Sequence, residues 1–105
     1  MIVTTTHTVP GHDIAEVVGI ARGNTIRAKH IGTDFVASLR NLVGGEVSEY
    51  TKLMAEAREQ AIDRMVRDAQ SMGADAIVGM SVTTAMVLQG TAEILAYGTA
   101  VKLTR

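Results

Sequence analysis

The chain has 105 residues, no cysteine, and 10 lysines and arginines against 11 aspartates and glutamates, for a net charge of −1. That length holds one domain, residues 1–105, and the near-neutral balance gives no basic excess to favour a nucleic acid, which is not expected as a partner. Without cysteine there are no disulfides, no thiolate metal sites and no cysteine nucleophile.

In chain order, the β-branched run "MIVTTT" predicts a short strand, stopped by a turn at Pro10-Gly11. "IAEVVGIA" predicts a second strand. Gly23-Asn24 then offers a tight reversal or bulge before "TIRAKHI" resumes extended structure. From Asp34 the period changes. Phe35, Val36, Leu39, Leu42 and Val43 recur at helical spacing, with Thr33 or Asp34 as cap, and predict a short amphipathic helix. Gly44-Gly45 lacks the lysine and hydroxyl of a phosphate loop, so it is expected to stop one helix and bend the chain before the next.

Ser48 to Met72 predicts the longest helix. Its apolar face holds Tyr50, Leu53, Met54, Ala57, Ala61, Ile62, Met65, Val66, Ala69 and Met72, its polar face carries an Asp63–Arg67 pair, and Gly73 ends it. Two strands, "DAIVGMSVTTAMVL" and "AEILAYGTAVKLT", follow around a Gln89-Gly90 turn. The expected fold is a small α+β domain of about four strands with one short and one long helix, in the order β-β-α-α-β-β.

Both faces of the last two strands are apolar, with Ile94, Ala96, Gly98 and Ala100 opposing Leu95, Tyr97, Val101 and Leu103. Two helices cover one face of a four-stranded sheet, and the other needs a partner. The expected partner is a second copy of the chain, in a closed symmetric oligomer. The N-terminus carries no signal-peptide pattern, and no apolar run is long enough to cross a bilayer. A cytoplasmic protein with no membrane partner is therefore expected.

Candidate chemistry is sparse. Arg22, Asn24, Arg40 and Asn41 flank glycines at predicted turns, where polar groups can converge on an anionic small ligand. His7 and His12 flank the Pro10-Gly11 turn beside Asp13, a set of nitrogen and oxygen donors suited at most to weak zinc, copper or nickel binding. Of the six methionines, Met54, Met65 and Met72 fall on the apolar helix face and Met80 and Met86 on one strand face, as core filling does. No tight heavy-metal site is expected. Two function classes remain: an oligomeric binding module, and an enzyme whose site forms between subunits from residues such as Arg40, Glu46 and Tyr97.

The segments "MIVTTT", "RGNTIRAKHIG", "LRNLVGGEVSEYT", "GADAIVGM" and "AEILAYGTAV", in this order across nearly the whole chain, resemble the YbjQ-like family of small bacterial and archaeal proteins. The resemblance implies an α+β fold assembled as a ring-shaped homopentamer. The family's function is uncharacterised, and it is catalogued as a heavy-metal-binding domain.

Overall fold

A computed structural model describes residues 1–28, 44–88 and 91–104. Five elements follow one another: β1 (Ile2–Val3), β2 (Asp13–Ala28), the helix α1 (Gly44–Ser71), β3 (Ala76–Leu88) and β4 (Thr91–Thr104). The strands form one four-stranded sheet in the order β1-β3-β4-β2. β4 runs antiparallel to both β3 and β2, while β1 pairs in parallel with the start of β3, Ile2 opposite Ala76. The α+β class and the order of these elements are as expected. The predicted short helix, with Thr33 or Asp34 as its cap, lies outside the described residues.

The punctuation residues act as their chemistry dictates. Pro10 and Gly11 occupy the corners of a turn closed by the His12 N–H donating to the Val9 carbonyl at 3.1 Å. Gly73, at a φ of 79°, ends α1. Its N–H donates to the Gln70 carbonyl at 3.0 Å and that of Ala74 to the Ala69 carbonyl at 3.1 Å, a Schellman closure that needs a left-handed residue.

Two expectations require correction. Gly23 and Asn24 do not reverse the chain. They lie in the middle of β2, one 16-residue strand paired with β4 from Asp13 to Ala28, whose register shifts fall earlier, between Ile14 and Glu16 and between Val17 and Gly19. Gly44 and Gly45 are not a linker either. They are the first residues of α1, and neither is among the positive-φ glycines.

One face of the sheet packs on α1. Ala57, Ala61, Met65 and Ala69 project from the helix onto Ala21, Ile77, Ile94, Ala96 and Ala100, all fully buried. Met54, Ile62, Val66 and Met72 flank them, as the helical period predicted. Small side chains on both sides let the helix sit close to the strands. Strict alternation along β3 fails at a bulge between Val78 and Ser81, where Gly79 has a φ of 61°. Ile77 faces the helix before the bulge and Val82 after it. At the β1 end of the opposite face, Val9 from the N-terminal segment caps Ala76, Val78 and Val101.

Candidate functional site

The most elaborate polar arrangement lies where α1 crosses the outer edge of β2. Gly23 is the reason the two can meet. A Cβ at that position would overlap the Met65 nitrogen and the Ala61 carbonyl, and would sit 2.7 Å from the carbonyl carbon of Arg64. With no side chain there, successive turns of the helix come within hydrogen-bonding reach of the strand.

Four contacts then form in register. The buried Thr25 hydroxyl donates to the Ala57 carbonyl at 3.1 Å. Arg27 Nη2 donates to Gln60 Oε1 at 2.6 Å, and Arg64 Nη1 to the Asn24 carbonyl, also at 2.6 Å. The Arg22 backbone N–H donates to Asp68 Oδ2 at 3.0 Å. Arg64 and Asp68, four residues apart on one helix face, thus satisfy a carbonyl and an amide that an edge strand otherwise leaves open.

A solvent-open groove of about 780 Å³ wraps this edge, lined by Ile20, Arg22, Gly23, Asn24, Arg64, Arg67, Asp68 and Met72. Arg67 also pairs with Asp63 at 3.1 Å, the exposed ion pair expected from their spacing. Asn24 Nδ2 donates to Glu93 Oε2 at 3.3 Å. A smaller hollow of about 290 Å³, lined by Ile20, Arg22, Leu95 and Tyr97, opens on the face of the sheet opposite α1. Ile20 and Arg22 border both.

Of the predicted ligand-binding residues, Arg22 and Asn24 therefore share one groove, while Arg40 and Asn41 lie outside the described residues. Arg64, Arg67 and Asp68 were missed. Their period placed them on a solvated helix face, and nothing in the sequence says which helical turn crosses which strand.

The metal candidates are not brought together. The His7 ring lies over Gly79, its Nδ1 3.2 Å from where a Cβ would stand. His12 follows the Pro10-Gly11 turn, and Asp13 opens β2 opposite Thr104. Among the described residues, no three His, Asp or Glu side chains gather where they could hold an ion. Met65 is fully buried, and Met54, Met72 and Met80 pack against the same core. Among the described residues, no helix is long and apolar enough to cross a membrane.

Comparison with known proteins places this architecture. Residues 1–104 match the YbjQ family, described as "Putative heavy-metal-binding". A UPF0145 protein of the archaeon Methanosarcina acetivorans is 57% identical over 103 residues, covering 98% of this chain and 97% of its own. UPF0145 proteins of Archaeoglobus fulgidus and Thermus thermophilus are each 52% identical over 103 residues, covering 98% of this chain and 95% and 90% of theirs. A crystal structure of a Pediococcus pentosaceus protein of unknown function, from the DUF74 family, superposes with a TM-score of 0.67. The superposition covers 99% of this chain and 98% of that one, and at 16% identity it speaks for the fold alone. With its whole length matched and half its residues shared with these relatives, the chain belongs to the YbjQ-like, UPF0145 family.

Proposed function

We propose that this protein is a homo-oligomeric binding module: copies of the chain close the face of the sheet opposite α1, and the groove along β2 takes a small ligand. The observation that carries this reading is a stripe of exposed aliphatic side chains on that face. Ile14, Val17, Ile20 and Ile26 stand opposite Leu103, Val101, Thr99 and Glu93, the β4 residues that point away from α1. Val17, Ile20 and Ile26 are 65%, 59% and 62% exposed, and Tyr97 lies beside them. Arg22 and Asn24 stand between Ile20 and Ile26 on this face, yet soluble monomers seldom leave so many aliphatic side chains of one sheet face in water.

Shape supports the same reading. The accessible surface is 6621 Å², against roughly 5,700 Å² expected of a monomer of this mass. The radius of gyration is 17.2 Å, where a compact chain of this length has about 13 Å. The 55 Å long axis matches the span of the 16-residue β2. Such a flat, elongated sheet has a large face to share. The subunit number, five, comes from the family resemblance. Light scattering on the eluting protein should give about five times the 11.1 kDa chain mass, and a mass of one chain overturns the oligomer.

The family's description implies a heavy metal, and the donor set does not fit one. Soft ions take thiolates, and the chain has no cysteine. Met54, Met65, Met72 and Met80 are engaged in the core, and the exposed Met1 and Met86 are thioethers without a thiolate partner. The proposed function therefore passes through no metal. The enzyme reading has less support: Arg40 lies outside the described residues, Glu46 is placed on the first turn of α1, and Tyr97 borders an apolar hollow with Arg22.

A further inference from the structure

We propose that the groove along β2 is an oxyanion site, and that its ligand is a small phosphomonoester with an apolar or aromatic body. This rests on the reading of the protein as a binding module, and names the ligand class of the same groove. Its wall holds three guanidinium groups, Arg22, Arg64 and Arg67, against one carboxylate, Asp68, in a chain whose net charge is −1. Two further carboxylates stand beside this wall, Asp63 on Arg67 and Glu93 on Asn24, so its positive character depends on how these acids are engaged.

The state of each group favours an anion. Asp68 already accepts the Arg22 backbone N–H, a contact that ties its charge to the strand edge. Arg64 is oriented by its bond to the Asn24 carbonyl, which uses Nη1 and leaves its other N–H groups for a ligand. Arg67 is held only by an exposed ion pair with Asp63, whose side chains are 75% and 58% exposed, and such pairs exchange readily for a better acceptor. Glu93 reaches the groove only through the Asn24 amide, which lies between it and the arginines' groove.

Donor number separates phosphate from carboxylate. A guanidinium presents a planar fork that one carboxylate fills, whereas a phosphate monoester has three terminal oxygens and can engage more than one fork. The rest of the ligand has somewhere to go. Ile20 and Met72 add apolar surface to the same groove as the arginines. An aromatic body there would lie against apolar surface while its phosphate faces the arginines.

The test is a calorimetric titration of the full chain with phenyl phosphate, inorganic phosphate and benzoate. Phenyl phosphate should saturate near ~1 mM or tighter, with benzoate at least about tenfold weaker. Arg22→Gln and Arg67→Gln should each weaken phenyl phosphate by roughly fivefold or more, consistent with loss of one charge-assisted contact. Both side chains are exposed and neither holds the backbone, so thermal unfolding should be unchanged and report that each variant is folded. No saturation by phenyl phosphate up to ~10 mM overturns the proposal, as does benzoate binding equally well, or an affinity untouched by both variants. Light scattering on the same samples keeps the two readings apart. An oligomer that ignores phosphate sinks the oxyanion site alone, and a monomer that binds it sinks the oligomer alone.

Discussion

Gly23 is the residue on which the site depends. It sits in extended backbone, where alanine is conformationally acceptable, so any cost of adding a methyl group is steric. Gly23→Ala would drive that methyl into the backbone of α1 and should destabilise the fold by about 3 kcal/mol or more, read from urea unfolding. Stability equal to the parent's would mean that the helix does not lie on this strand. Thr25→Val removes the hydroxyl that reaches Ala57 while keeping the shape, and should cost about 1 kcal/mol in the same assay. The sequence suggested a turn at Gly23-Asn24 because that dipeptide is a strong local reversal signal. Its actual cause is contact with a helix some forty residues away, which no local pattern encodes. Arg22 and Asn24 were thus identified as candidates for the wrong structural reason: they flank a close approach rather than a corner.

Among the elements, long periodic segments were legible and irregular ones were not. The helical face from Leu53 to Met72 and the strands from Ala76 to Leu88 and Thr91 to Thr104 follow from spacing alone. The bulge at Gly79 was not, because one inserted residue changes which face every later side chain takes. The two outer edges of the sheet are handled differently. β1 pairs only with Ala76 and Ile77 on β3, while the middle of β2 is capped by side chains of α1. Asp68→Ala leaves the Arg22 N–H without its partner and should cost about 1–2 kcal/mol in thermal or urea unfolding. Combined with Arg64→Ala it should also make the protein more prone to edge-to-edge aggregation on heating, followed by turbidity. A double variant as stable and as clear in solution as the parent would show that these contacts do not protect the edge.

At the scale of the whole molecule, the expectation of self-association came from apolar faces of the last two strands, whereas the exposed aliphatic side chains that support its proposal lie mainly on β2 and at the end of β3. The donor inventory is a molecular property too. Calorimetric titration with Zn²⁺, Cd²⁺ and Cu²⁺ should find no submicromolar site, and Cd²⁺ should bind no better than Zn²⁺ in a chain without thiolates. Stoichiometric submicromolar binding that survives replacement of both His7 and His12 by alanine would contradict that on affinity and on location. The most direct test of the shared sheet face is sedimentation equilibrium of the parent chain beside Ile20→Lys, which places a charge in the middle of the stripe. The parent should sediment as a multiple of 11.1 kDa, near five chains, and the variant should fall toward one chain while keeping its helical circular dichroism. A parent that sediments as a single chain, or a variant that assembles as fully as the parent, would contradict self-association through this face.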